Sequence, residues 1–140
     1  MSTARRGAWQ GWLCGLALLL LLAAAPAWAG PVDWHEVAPT AEGRQWWDAG
    51  SLRINRDGNL TVLSRFQPAP AADAPTNPDG SSRRPPASDL YVMELDCGQR
   101  LFRDTSINGL PQWGSSWQVA SGDGLIEATL EAACAAGKPA

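Results

Sequence analysis

Apolar and polar residues alternate over much of the chain beyond residue 30, and the alternation breaks at a few defined places. In "SLRINRDGNLTVLSRF" (residues 51–66), Leu52 and Ile54 alternate with polar neighbours, and Leu60, Val62 and Phe66 resume the same period. A period of two marks a strand with one buried face. Between the two runs, Asp57-Gly58 supplies a two-residue turn that tolerates positive φ, so the stretch predicts a hairpin. "DWHEVA" (33–38) and "RQWWDAG" (44–50) read as short strands ahead of it. In the second of these Trp46 and Trp47 are adjacent, so a strand must send one ring to each face. One ring belongs in the core; the other is exposed as a partner-binding surface, covered by a loop, or buried as well.

"YVMELDCGQRLFRD" (91–104) puts Tyr91, Met93, Leu95 and Cys97 on one face, which points Cys97 toward the core. Gly98 permits a turn, and "RLFRDTSI" (100–107) returns as the next strand. After a Gly-rich connection carrying Trp113, "WGSSWQVA" (113–120) predicts a last strand. The period then changes. Asp123 can cap a helix over 124–135, in which Ile126, Leu130, Ala133 and Cys134 share one stripe. Cys97 on a strand face and Cys134 on a helix stripe are thereby placed to join helix to sheet. One segment fits neither period: residues 67–87 carry six prolines among Ala, Ser, Asp and Gly, and predict a flexible insert between strands.

The chain start is of a different kind. Residues 1–29 have Arg5 and Arg6, an apolar run from Leu13 to Ala25, and Ala27-Trp28-Ala29 before Gly30, the three parts of a secretory signal peptide. A thirteen-residue run is short for a membrane span. The remaining 140 − 29 = 111 residues predict one domain, 30–140, with Cys97 and Cys134 as its two cysteines. Export to the periplasm or beyond supplies an oxidising compartment in which a disulfide persists. All 14 acidic residues and 11 − 2 = 9 basic ones lie in this part, a net charge of −5. That balance argues against nucleic acid and anionic membrane surfaces as partners.

Trp34 near the start, "WDAGSLRINRDGN" (47–59), "DCGQRLFR" (96–103), and Trp117 followed by a helix that ends at Cys134 occur in an order that resembles the surface-adhesin protein E-like family of exported bacterial domains. The resemblance covers nearly all of residues 30–140. It implies an α+β fold: an antiparallel sheet of about six strands with a C-terminal helix on its concave face, tied by a Cys97–Cys134 disulfide. By the same resemblance Asp48, Ser51, Asp96, Cys97, Arg103, Trp117 and Cys134 fall on recurrent positions, most of them structural. The long Pro-rich insert and the absence of a lipidation cysteine set the chain apart from the founding adhesin.

Catalytic and ligand-binding constellations are sparse. His35 is the sole histidine, so a Ser-His-Asp arrangement would have to use it, and its neighbours make an ordinary strand. A zinc site lacks ligands once the two cysteines are paired. "NRDGN" (55–59) has a faint likeness to a calcium loop, but Phe66 stands where a bidentate Glu is required. Asn59-Leu60-Thr61 is a formal glycosylation acceptor. No phosphate cradle follows a strand. The reading is therefore an exported, non-enzymatic binding module of the bacterial envelope with no cofactor. It contacts a protein or envelope component, with Trp46, Trp47 and Trp113 as the candidate contact residues, and admits self-association. The alternatives are an assembly or stability factor for an envelope protein, or an enzyme or enzyme inhibitor that uses dispersed residues. The exported chain should begin at Gly30, as N-terminal sequencing will show; a retained Met1 or an acylated Cys14 would contradict the signal assignment.

Overall fold

The computed structural model describes residues 30–81 and 83–137. The signal peptide expected at 1–29 lies outside them. Eight strands form one antiparallel sheet: β1 (Trp34–Glu36), β2 (Gly43–Asp48), β3 (Arg53–Ile54), β4 (Leu60–Pro68), β5 (Asp89–Asp96), β6 (Leu101–Ile107), β7 (Leu110–Pro111) and β8 (Gln118–Val119). One α-helix among the described residues, α1 (Gly124–Ala136), follows. The sheet order is β1-β2-β4-β5-β6-β7, with β3 beside β4 and β8 beside β6. Because β2 and β3 both pair with β4, and β7 and β8 both pair with β6, the sheet is six columns wide with two columns interrupted. That is the α+β architecture expected from the sequence.

The break between β2 and β3 has a local cause. A 3-10 turn at Ala49–Ser51 starts where the Asp48 carboxylate accepts from Gly50 N at 3.0 Å and from Asp33 N at 2.7 Å. Ser51 Oγ donates to Asp48 O at 2.7 Å and accepts from Leu63 N at 2.8 Å. The hydroxyl thus satisfies a β4 donor that lost its strand partner at the break, and a buried N–H left unpaired would be costly. Asp48 and Ser51 are structural for this reason. Gly43 at the other end of β2 has φ +151°, and a Cβ there would meet Gln67 O at 2.2 Å, so only glycine lets β2 and β4 close up at that point.

Alternation sorts the strands onto two faces. Trp47, Leu60, Val62, Met93, Leu95 and Phe102 are buried against Leu125, Leu130, Ala133 and Cys134 of α1. The helix forms where expected because Asp123 Oδ1 accepts from the amides of Leu125 and Ile126, which the first turn leaves without partners. Its buried stripe runs through Leu125, Thr129, Leu130, Ala133 and Cys134, with Ile126 at the margin. The sequence pattern put Ile126 on the stripe; the actual stripe is rotated by about one residue and runs through Leu125 and Thr129 instead.

Three expectations change. Cys97 does not lie on a strand face: pairing ends at Asp96↔Leu101, and residues 97–100 form the turn, where Cys97 is exposed. Its sulfur still bonds Cys134 at 1.98 Å, with 5.7 Å between the Cα atoms, so the bridge joins the β5–β6 turn, not the sheet face, to the last turns of α1. The hairpin at 53–61 is not closed by two residues. Asn55 N donates to Asn59 O at 2.8 Å, and Asn55 Oδ1 accepts from Asp57 N and Asn59 N, a five-residue loop organised by an asparagine side chain. Ile54 pairs with Leu60 but, in the two-residue strand β3, is exposed instead of inward. Finally, β4 continues through Gln67 and Pro68, which pair with Arg44 and Gly43, so the Pro-rich connection starts after Pro68. Pro68 is tolerated because it closes the strand.

The bridge closes a loop over a sequence separation of 37 residues. Chain-entropy treatment assigns such a closure about 4 kcal/mol. Replacing both Cys97 and Cys134 by serine should lower the free energy of unfolding by about that amount, measured by urea denaturation, with a larger m-value because the denatured chain is no longer cross-linked. A loss below about 1 kcal/mol would show that the helix is held by packing alone.

Candidate functional site

The two tryptophans of β2 do point to opposite faces, and both are buried. Trp47 lies on the helix face, with the His35 ring stacked on it at 4.9 Å between centroids. Trp46 lies on the other, outer face, where Arg65 sits 4.2 Å and Arg44 4.8 Å from its ring centre. Arg44 is in turn held by a bidentate pair with Glu36, at 2.6 and 2.8 Å. The hydrogen bond from Arg44 holds the Glu36 carboxyl below its ordinary value. Arg65 also lies 5.3 Å from the Trp34 ring, and among the described residues its buried Nε has no hydrogen-bond partner. Aromatic faces therefore take the place of a carboxylate as its neighbours. Cationic side chains, not a loop, cover Trp46, which is why a ring on the outer face escapes solvent.

Trp113 is the opposite case, 90% exposed in the connection between β7 and β8. Gly109 (φ +80°) and Gly114 (φ +72°) let the chain turn on both sides of it. Leu110 and Val119, also exposed, belong to β7 and β8, the two short strands that line the β6 edge. Of the three candidate contact residues, the structure presents Trp113 to solvent and encloses Trp46 and Trp47.

Sequence reading missed Glu94. Its carboxylate is buried on the outer face and collects four donors: Asn55 Nδ2 at 2.6 Å, Asn59 Nδ2 at 2.9 Å, Arg103 Nε at 2.8 Å and Arg103 Nη2 at 2.6 Å. Arg103 also lies 4.6 Å from the Trp117 ring centre. Asn59, the formal glycosylation acceptor, thus spends its amide on Glu94. Burial pushes the Glu94 carboxyl up, and the hydrogen bonds from Asn59, Arg103 and Asn55 more than offset it, so its pKa is lowered overall. The sequence carries no signal for this: Glu94 takes an outward position of an alternating strand, and only the register that sets it opposite Arg103 of β6 shows its partner.

Asp104 is the reverse. It lies on the helix face across from Met93, and among the described residues nothing donates a hydrogen bond to it. Burial alone pushes its carboxyl up. His35 Nε2 lies 3.2 Å from Asp33 Oδ2 at the exposed β1 edge of the sheet. Among the described residues no group of three or more His, Cys, Asp or Glu side chains is arranged to hold a metal ion.

In comparison with known proteins, the family model described as the surface adhesin-E family matches residues 35–140. No curated protein and no solved structure matches the chain.

The two carboxyls should leave opposite marks on stability. Glu94, with its pKa lowered on folding, contributes stability that is present above the ordinary glutamate value of about 4.3 and lost as pH falls through the lower folded value. Glu94→Gln should therefore cost about 2–3 kcal/mol at pH 7, the scale of leaving Arg103 without its partner, and the deficit should shrink in acid. Asp104, raised on folding, is at its most favourable below the ordinary aspartate value of about 3.9, and its contribution falls as pH rises through the folded value. Asp104→Asn should then raise the melting temperature at pH 7 and leave it unchanged at pH 3. Thermal melts of both variants at the two pH values check the signs.

Proposed function

The chain belongs to the surface adhesin-E family, and from that premise we propose that it is an exported, non-enzymatic binding module of the bacterial envelope. It contacts a protein or envelope component through the sheet edge that carries Leu110, Trp113 and Val119. The family match is the observation that carries the reading, since adhesion is a binding function and asks for no reacting group. The edge supports it in physical terms. Leu110, Trp113 and Val119 are 69%, 90% and 67% exposed, a concentration of large apolar side chains along one margin. Exposed apolar groups in contiguous patches mark interaction surfaces, and tryptophan is enriched among the residues that dominate binding energy.

The edge is also chemically ready for contact without being prone to open-ended pairing. Two-residue strands at either end of β6, and the bond from Gln112 N to Thr105 O at 2.9 Å between them, occupy much of the β6 ladder. Short edge strands of this kind suppress strand addition, which leaves side-chain contact as the mode of recognition. Trp46 and Trp47 serve the scaffold in this reading, and export to the periplasm or the surface follows from the leader at 1–29.

A photo-crosslinking residue placed at position 113 of the exported chain, in its own envelope, tests the proposal. A discrete adduct should form at 113 and not at Asp57 on the β3–β4 turn, and Trp113→Ala should weaken retention of the crosslinked component at least tenfold. Equal labelling at 113 and 57 would overturn the assignment of this edge.

A further inference from the structure

One end of the helix–sheet interface is not filled. Where α1 begins, it stands off the ends of β4, β5 and β6 and leaves a cleft of about 270 Å³. Its lining is mixed: Phe66, Tyr91, Met93 and Phe102 from the sheet and Leu125 and Ile126 from the first turn of the helix supply the apolar part, with Gln45 and Gln118 beside them. Asp104 opens into it. The cleft is open to solvent on one side, so a ligand can reach it without any rearrangement of the core.

The position of Asp104 is built by a local irregularity. Between Val92 and Met93 the register of β5 on β6 shifts: Met93 faces Asp104, whereas Val92 faces Ser106. Thr105 is the extra residue of a β-bulge, and its hydroxyl is anchored to Val92 O at 3.0 Å. Bulges re-aim the side chains beside them. Here the result is a carboxyl group placed on the apolar face of the sheet, without a described hydrogen-bond donor. The other acidic groups at the cleft do not share its situation. Asp123 is committed to the helix cap, and Glu42 is exposed at the rim.

We propose that this cleft is a binding site for a cationic amine carried on a short apolar stem, with Asp104 pairing the ammonium group and the Phe66, Tyr91 and Phe102 rings packing along the stem. The chemistry is complementary at each point. A half-enclosed carboxylate without a donor gains most from a charged hydrogen-bond donor, and such bonds are the strong ones. Aromatic walls favour cations and the methylene groups next to them. An anionic ligand would repel the carboxylate, a neutral donor would hydrogen-bond it without compensating its charge, and a purely apolar ligand would bury it deeper. A lysine side chain of a partner protein and a free primary amine carry the same group, and both have the stem. The site does not depend on the adhesion reading above: Trp113 lies on the β6 edge, outside the residues that line the cleft.

The test uses the exported chain labelled with 15N and four probes: n-butylammonium, Nα-acetyl-lysine methylamide, and their neutral counterparts n-butanol and Nα-acetyl-norleucine methylamide. Saturable shifts at the amides of Tyr91, Asp104 and Ile126 are expected with both amines, with dissociation constants on the order of millimolar for ligands of this size. The neutral counterparts should bind at least tenfold more weakly. Asp104→Asn, which keeps shape and is expected to be the more heat-stable protein at pH 7, should lose the preference for the amine. Ile126→Trp, which fills the cleft from the helix side, should abolish the shifts with both amines. A lysine derivative that binds more tightly than n-butylammonium assigns the site to a protein side chain, and the reverse order to a free amine. Equal binding of amine and neutral probe, or an unchanged preference in Asp104→Asn, overturns the proposal, whatever crosslinking at position 113 shows.

Discussion

The bond between Cys97 and Cys134 sets the terms on which this sheet has a covered face. One helix of thirteen residues is all that closes the apolar side of an eight-stranded sheet. An isolated helix of that length is marginal in water, so its place depends on what holds its ends. Asp123 fixes the first turn through Leu125 and Ile126 N, and the disulfide fixes the last turns to the β5–β6 turn. Between these ends the fully buried Leu125, Leu130 and Ala133 press on Leu60, Val62, Met93 and Leu95. Truncating one such leucine costs on the order of 2–5 kcal/mol, comparable with the closure contributed by the bridge, so packing and cross-link share the task.

The two faces of the sheet solve the problem of charge in opposite ways. On the outer face, ions are supplied with partners to excess: Glu94 receives four donors, Glu36 clasps Arg44, and Arg44 and Arg65 cover the Trp46 ring. This face is self-contained, and its large rings are not on offer to a partner. On the helix face, a carboxyl stands by a cleft with no donor. That carboxyl is only partly buried, and the cationic ligand proposed for the cleft would supply the partner that folding does not. In the two proposals above recognition lies at the periphery of the fold, a surface contact at the exposed Trp113 edge and a smaller group in the cleft at the helix start.

Much of this architecture was legible in the residues, and the legible part shares one property: it is set by neighbours in sequence. The strands at 60–66, 91–95 and 101–107 follow from a period of two, and the helix from its period of 3.6 after an aspartate cap. The opposed directions of Trp46 and Trp47 follow from their adjacency alone. The family resemblance, and with it the Cys97–Cys134 bridge, could be read from the order of short motifs.

What only the tertiary structure decided is everything that depends on which strand lies beside which, and at what register. Whether Trp46 is exposed turns on Arg65, nineteen positions along the chain and paired with it only across β2 and β4. Glu94 looks like a surface residue of an alternating strand until Arg103, Asn55 and Asn59 arrive from two other segments. Cys97 lies one residue beyond the last paired position, and a period of two carries no mark of where pairing stops. The bulge at Thr105 places Asp104 at the cleft, and a bulge is a misfit between two strands, absent from either one alone. Periodicity reports the direction of a side chain relative to its own backbone; only packing determines what stands on the other side.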